Sequence, residues 1–215
     1  VAGAAVATAP SVIVRDANNN PVAGQTVTFA VATGGGTITG ATATTNAQGI
    51  ATLGSWNLGG LAGTNTLTAT RSGLTGSPIT FTATGTVGQA TQMAINAGNN
   101  QTATAGSFVT TQPSVVVRDA NNNPVSGVQV TFAVASGGGT VIGASATTNA
   151  SGIAAAGSWI LGTTAGTNTL TATSNGLSGS PITFTATGTA GPASKLVIAT
   201  EPSASAINDV AFAQQ

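Results

Sequence analysis

A long internal repeat constrains this sequence more than any other feature. Residues 113–132 read PSVVVRDANNNPVSGVQVTF, and residues 10–29 carry nearly the same string, offset by 103 residues. The match continues without a gap from residues 10–88 to residues 113–191, where 61 of 79 positions are identical. Solenoid repeats have periods of about 20–50 residues, so a period of this length indicates one whole domain per repeat.

The repeat predicts three parts. Residues 1–88 form a first unit that lacks its first strand, residues 89–191 form a complete second unit, and residues 192–215 begin with the first strand of a further unit. This division follows from the ends of the alignment, because Val1 corresponds to Thr104 and Leu196 corresponds to Met93. The first unit therefore has no counterpart of residues 90–103.

Apolar and polar residues alternate along short segments, which is the pattern of half-buried β-strands. In residues 129–135, for example, Val130, Phe132 and Val134 share one face. Turn sequences such as DANNNP, GGG and NASG separate the segments, and none shows a capped helical period. About seven short strands in about 100 residues predict an all-β fold of tandem β-sandwiches without helices. The predicted core of the second unit is Val115, Val117, Val130, Phe132, Val134, Ile153, Trp159, Leu170, Ala172, Ile182 and Phe184.

Several motifs of both units resemble the bacterial immunoglobulin-like (Ig-like) domain of the invasin and intimin type. They are the string VVVRDANNNPVSGVQVTFAV, the GGG triplet, the TTN-x-x-G turn and the closing ITFTATG. The family pattern looks like D-x-x-GNPV-x-G-x-x-VTF, and here Asn19 and Asn122 replace its glycine, a change that asparagine tolerates in a left-handed conformation. The resemblance implies tandem Ig-like sandwiches of about seven strands each, in a stalk or adhesive module on a bacterial surface. It implies no active site.

Composition argues against an enzyme. The chain contains no histidine and no cysteine, and its carboxylates, which are spread across different units, are Asp16, Asp119, Glu201 and Asp209. Such a set offers little for acid–base or nucleophilic catalysis, so we predict no catalytic residues, no cofactor and no metal site. Net charge near zero predicts no nucleic-acid partner. No apolar run approaches the ~20 residues of a membrane helix, so we predict no membrane insertion.

Two recurring motifs have a functional and a structural interpretation. The Asp16 and Asp119 turns with their asparagines suggest a calcium site, but calcium usually requires several carboxylates. We favour a turn in which the aspartate side chain closes a strand end. The glycine triplets at residues 34–36 and 137–139 lack the Lys-Ser/Thr and the helix of a phosphate-binding loop, so we interpret them as loop residues.

Threonines alternate with apolar residues in two segments of each unit, and they define a surface that we call the threonine face. If the two segments are neighbouring strands, one outer sheet surface consists of threonine, a residue with high β-propensity. Its function is open between binding an ordered lattice such as ice or a polysaccharide, carrying O-linked glycans, and packing against an identical face. The charged content of 4% favours packing or glycans, because exposed sheets normally use charge to block association. The threonine face comprises Thr66, Thr68, Thr70, Thr80, Thr82, Thr84, Thr169, Thr171, Thr173, Thr183, Thr185 and Thr187.

The chain ends suggest how one copy meets the next. One end lacks a first strand, and the other carries a spare one, so we hypothesise donor-strand complementation between copies. The donor strand comprises Lys195, Leu196, Val197 and Ile198, with Leu196 and Ile198 facing the core. The acceptor groove comprises Val12, Val14, Ile79 and Phe81. Such contacts run head to tail without closing and therefore propagate.

These patterns support two functions of different classes. The first is a structural subunit of an extracellular bacterial fibre, on the cell surface or secreted, whose partners are other copies of itself and, in one alternative, glycan. The second is a set of Ig-like stalk repeats in a large cell-surface adhesin. In the second case these 215 residues are a window of a longer array, and the spare strand pairs with its own downstream unit.

Overall fold

The computed structural model describes residues 1–201 of the chain, and those residues are all-β. They contain no helix, and hence no helix of the length and apolarity that a membrane crossing needs. The predicted fold class is therefore confirmed: two β-sandwich units follow one another along the chain.

The first unit contains eight strands in three sheets. Its main sheet has four strands in the order β4-β2-β7-β8, while β1 pairs with β5 and β3 pairs with β6. The strands are β1 (Ser11–Ile13), β2 (Thr26–Thr33), β3 (Thr37–Thr39), β4 (Thr42–Thr44), β5 (Ile50–Thr52), β6 (Ser55–Asn57), β7 (Gly63–Thr70) and β8 (Ile79–Gly85).

The second unit repeats this arrangement and adds two strands. The strands are β9 (Ala90–Ala97), β10 (Gln101–Thr104), β11 (Ser114–Asp119), β12 (Gln129–Ser136), β13 (Thr140–Ile142), β14 (Ser145–Thr147), β15 (Ile153–Ala155), β16 (Ser158–Ile160), β17 (Gly166–Thr173) and β18 (Ile182–Thr189). Its sheets have the orders β10-β18-β17-β12-β14, β15-β11-β9 and β13-β16. Strands β11–β18 correspond in order to β1–β8, so β9 and β10 are the addition.

Each unit encloses its own hydrophobic core. Phe29 and Trp56 are buried in the first core, and Phe132, Trp159 and Phe184 are buried in the second. The two tryptophans therefore occupy the interior, as predicted from the sequence.

The predicted core was wrong at Ile153, which is only half-buried. Ala154 and Ala156 enter the second core instead. Strand β15 is three residues long, and an alternation that short does not fix its phase against the core. Val134, also predicted as core, is half-buried and packs against the cluster from its margin.

Strands β9 and β10 account for the main difference between the units. Strand β9 pairs antiparallel with β11, and β10 pairs parallel with β18. In the first unit the equivalent edges of β1 and β8 have no partner within residues 1–201. The exposure of equivalent residues records this difference: Ile79 is 45% exposed, whereas Ile182 is 8% exposed.

Candidate assembly sites

The first candidate site is a groove beside β1. In the second unit the corresponding space holds Met93 of β9, which is 5% exposed and whose N–H donates to the carbonyl of Ser178 at 2.9 Å. The counterpart of Ser178 is Thr75, and Thr75 lines a groove in the first unit together with Val12, Val14 and Ile79. This groove therefore lies where a strand equivalent to β9 would pack.

A second groove lies along the outer edge of β8, lined by Val6, Trp56, Phe81 and Ala83 among others. In the second unit, residues 99–104 cover the equivalent surface. Gln101 is paired with Ala186 in the parallel β10–β18 ladder, and Asn99 Oδ1 accepts the N–H of Thr185 at 2.9 Å. Both apolar grooves of the first unit thus follow the paths that β9 and β10 take in the second.

The predicted acceptor residues lie on this side of the first unit but divide between the two grooves. Val12, Val14 and Ile79 line the groove beside β1, and Phe81 lines the groove beside β8. One charged residue, Arg71, also lines the first groove. Its guanidinium donates to Gln25 Oε1 at 3.0 Å and to the carbonyl of Ser72 at 3.1 Å.

The predicted donor residues are exposed and belong to no strand. Leu196 is 98% exposed, and Lys195, Val197 and Ile198 are exposed too. The predicted tail continues beyond the described residues, because residues 202–215 lie outside them. The structure leaves residues 193–200 unpaired, the form in which a segment is available to add to a sheet edge.

The register of β9 identifies which donor side chain would enter the first groove. Met93 is opposite Val117 and Ile95 is opposite Val115. Met93 is buried, whereas Ile95 is 41% exposed. Shifted by the repeat, the same register would place Leu196 opposite Val14 and inside the groove, and would leave Ile198 at its margin.

The two segments of the threonine face are neighbouring strands. In the first unit Thr66 is opposite Thr82 and Thr68 is opposite Thr80. In the second unit Thr169 and Thr171 stand opposite Thr185 and Thr183 in the same way. All twelve threonines are exposed or half-buried, so they form one outer surface of each main sheet.

The aspartate turns have the geometry expected of strand-closing turns. Asp16 Oδ1 accepts the N–H of Asn18 at 2.9 Å and of Asn20 at 2.8 Å, and Asp119 accepts the same two bonds in the second unit. Asn19 and Asn122 have φ of 70° and 65°, the left-handed conformation predicted where the family has glycine. Within residues 1–201, no group of three potential metal-ligating side chains is close enough to hold an ion.

The aspartate turn of the second unit also forms a joint with the first unit, which sequence reasoning did not reveal. Asn123 Oδ1 accepts the N–H of Ala62 at 2.8 Å, and Asn123 Nδ2 donates to the carbonyl of Gly60 at 2.9 Å. Asn121 Nδ2 donates to the carbonyl of Ala2 at 3.0 Å. The turn sequence is the same in both units, so no sequence signal distinguished the docked turn from the exposed one.

Asp119 stabilises this joint through hydrogen bonds to both units. Its Oδ2 accepts the N–H of Gly88 at 2.9 Å and also a bond from Asn123 Nδ2 at 3.0 Å. Burial by itself would raise the pKa of Asp119, but the hydrogen bonds from the Asn123 side chain and from the N–H groups of Gly88, Asn123 and Asn121 outweigh it. The pKa of Asp119 is therefore lowered from its ordinary value, and the carboxylate stays ionised at neutral pH in a buried position.

These features define tandem Ig-like β-sandwiches that are joined end to end by a polar turn. Residues 92–187 match the family model of the bacterial Ig-like domain, group 1. The first unit is identical to the second at 61 of 79 positions, so it shares the sequence features of the matched region, and the resemblance seen in the sequence is confirmed.

Solved structures similar to this chain include those of intimin and of InvD from Yersinia pseudotuberculosis. The D0–D1 domains of intimin are 20% identical over 82% of this chain and 85% of that chain, with a TM-score of 0.33. InvD of Yersinia pseudotuberculosis is 24% identical over 89% of this chain, with a TM-score of 0.49. This chain covers 55% of the InvD structure, about half its length. No curated protein sequence matches the chain.

Proposed function

We propose that the chain is a structural subunit of an extracellular bacterial fibre, assembled head to tail through strand donation. Residues 194–200 of one copy add to β1 of the next copy and run antiparallel to it, as β9 runs along β11. The observation that carries this proposal is the groove beside β1, which lies where Met93 of β9 packs in the second unit, together with the exposed Leu196, which corresponds to Met93 in the repeat. The partners of the chain are other copies of itself.

Two physical gains drive this insertion. Leu196 is exposed in the tail, and fully burying a leucine stabilises by about 1.5–3 kcal/mol. Ile79 and Val12, which line the groove, lose contact with water at the same time. The open edge of β1 also gains backbone hydrogen-bond partners, which removes the association hazard of an exposed strand edge.

The position of Lys195 adds a polar contact but no net charge attraction. Its counterpart Gln92 donates from Nε2 to the carbonyl of Asp119 at 3.0 Å and to Asn122 Oδ1 at 2.9 Å. In the first unit the equivalent acceptors belong to Asp16 and Asn19. Arg15 is directly opposite Lys195 in this register, and like charges across a strand pair oppose each other.

The alternative function is a set of stalk repeats in a large cell-surface adhesin. Its support is the family assignment together with the tandem order of the two units. In that case the strand that pairs with β1 precedes it in the same polypeptide, and residues 194–200 pair with a downstream unit. Both functions place the protein outside the cell.

Mass spectrometry of the natural material distinguishes the two functions. A fibre of separate subunits gives chains of this size with a free N-terminus at or near Val1. A stalk gives a far longer polypeptide and contradicts donation between copies.

A variant pair tests the donated strand directly in the purified chain. We expect Leu196→Asp to abolish filaments in electron micrographs, because it places a charge against Val12, Val14 and Ile79. The guanidinium of Arg71 in the same groove already bonds to Gln25 and Ser72. The matched variant Ile198→Asp should assemble more readily than Leu196→Asp, because the equivalent Ile95 is 41% exposed. Filaments formed by Leu196→Asp would contradict strand donation.

A further inference from the structure

The joint between the two units combines side chains from one unit with backbone groups from the other. Asn121 and Asn123 supply the side chains, and the carbonyls of Ala2 and Gly60 and the N–H of Ala62 supply the backbone groups. The first unit contributes only backbone atoms to the joint. Its part of the contact therefore depends on loop conformation and not on residue identity.

The surface of the first unit that contributes backbone groups to the joint has an equivalent in the second unit, and we call this surface the far end of each unit. The two far ends have the same local backbone conformation. In the first unit the N–H groups of Ala2 and Gly3 donate to Thr86 and Gly59, each at 2.8 Å. In the second unit Ala105 donates to Thr189 at 2.8 Å and Gly106 donates to Gly162 at 2.9 Å. The backbone groups equivalent to those of the joint therefore belong to Ala105, Thr163 and Ala165.

The sequence differences at this far end leave the joint possible. Thr163 takes the place of Gly60, and Thr163 and Ala165 are exposed. A Cβ added at Gly60 would lie 3.5 Å from Asn121 Oδ1, an ordinary van der Waals distance. The Cβ of Thr163 can therefore be accommodated against the same turn.

The near end of the first unit carries the matching turn in an undocked state. Asp16, Asn18 and Asn20 are exposed, and the sequence DANNNP is identical in the two units. The turn is already closed, because Asp16 Oδ1 accepts two N–H groups and Asn20 Nδ2 donates to Asp16 Oδ2 at 3.1 Å. Docking therefore requires little ordering of the turn, which lowers its entropic cost.

We propose that the aspartate turn of the first unit docks on the far end of the second unit of another copy. Asn18 Nδ2 donates to the carbonyl of Ala105, while Asn20 bonds to the carbonyl of Thr163 and the N–H of Ala165. This inference rests on the head-to-tail assembly proposed above and adds a second, polar contact to it. Its role is to give neighbouring copies the same relative orientation as the two units within one copy, so that every joint along the filament has the same geometry.

The donated strand and the docked turn are geometrically compatible because both follow contacts that occur side by side between the two units of one chain. Within the chain, Gly88 bonds to Asp119 and β9 begins at Ala90, two residues later. The same spacing places Gly191 beside Asp16 of the next copy and starts its donated strand near residue 193.

The experiment separates filament formation from filament stiffness. The double variant Asn18→Ala with Asn20→Ala should still form filaments, because Leu196 and the groove beside β1 are unchanged. Three hydrogen bonds are lost at every joint between copies, so we expect the persistence length in electron micrographs to fall by at least about twofold. Leu196→Asp, in contrast, is expected to remove the filaments altogether.

A matched pair in the second unit provides the control. In the monomeric Leu196→Asp background, Asn121→Ala with Asn123→Ala should broaden the distribution of inter-unit angles measured by small-angle X-ray scattering. Asn18→Ala with Asn20→Ala should leave that distribution unchanged. Filaments of the Asn18/Asn20 variant that are as straight as those of the parent overturn the proposed joint. A parent chain that forms no filaments instead contradicts the proposed function, and the joint between copies with it.

Discussion

Two aspartates with identical neighbours have different roles in this molecule. Asp16 and Asp119 both close a DANNNP turn with the same backbone bonds. Asp16 is exposed, whereas Asp119 is buried under the contact between the units and also accepts the N–H of Gly88. The pKa of both carboxyl groups is lowered; for Asp16 the main cause is the hydrogen bond from the Asn20 side chain.

The lowered pKa of Asp119 predicts an acid-sensitive second unit. Below the ordinary value of 3.8 the unfolded chain binds a proton that the folded chain resists. The stabilisation is therefore fully present above pH 3.8 and is lost as the pH falls through the folded value. Urea unfolding at a series of pH values should show a steeper loss of stability on acidification for the parent than for Asp119→Asn. Parallel pH profiles would count against this role of Asp119.

The length of strand β1 depends on its pairing partners as well as on its sequence. Residues 11–16 read SVIVRD and residues 114–119 read SVVVRD. The first forms a strand of three residues and the second a strand of six, because β11 pairs with both β15 and β9. A donated strand is therefore expected to lengthen β1 toward Arg15.

Besides the open edge of β1, the threonine face is a sheet surface to which no partner has been assigned. In the first unit it carries no ionised group, since every second residue along β7 and β8 is threonine. Hydroxyls also pair within the sheet, as Thr33 Oγ1 and Thr66 Oγ1 do at 2.7 Å. An uncharged outer face of this kind lacks the lysines that usually prevent sheets from associating.

We predict that Thr80→Lys together with Thr183→Lys weakens lateral association of filaments and leaves the fold intact. The two positions are equivalent and exposed. Repulsion between like charges on facing surfaces should be strongest at low ionic strength and decrease in about 1 M salt, where the Debye length is about 3 Å. Bundle width in electron micrographs measures the effect, and Thr80→Ser with Thr183→Ser is the control. Unchanged bundling at low salt would rule out packing through this face, and an intact mass above the sequence mass would favour glycan.

Much of this architecture was predictable because its signals are local. Alternation along residues 129–135 and 182–187 identified the long strands β12 and β18 and their inward faces. The phase of β15 was not predictable, because three residues carry too little alternation to fix which side chains face the core. The joint at Asn121 and Asn123 was not predictable either, because it depends on which backbone groups lie across from an otherwise ordinary turn.

At the scale of the whole molecule, the two units differ in completeness. The second core includes Met93 from β9 and has Ala103 from β10 packed against it, and the first core has no equivalent of either within residues 1–201. Val12 and Phe81 are consequently half-buried where Val115 and Phe184 are fully buried. Since apolar burial is the dominant stabilising term, the first unit should be the less stable one in a monomer.

We therefore predict two unfolding transitions for the monomeric Leu196→Asp chain, the lower belonging to the first unit. Phe29→Ala and Phe132→Ala assign them, because loss of a buried phenylalanine costs about 3–5 kcal/mol and should lower one transition each. A synthetic peptide of residues 193–200 should raise the lower transition alone, in proportion to the logarithm of its concentration above Kd. The same peptide with aspartate at the position of Leu196 should have no effect, because burying a carboxylate against Val12, Val14 and Ile79 is unfavourable. A peptide that raises both transitions, or neither, would show that the first unit does not accept this strand.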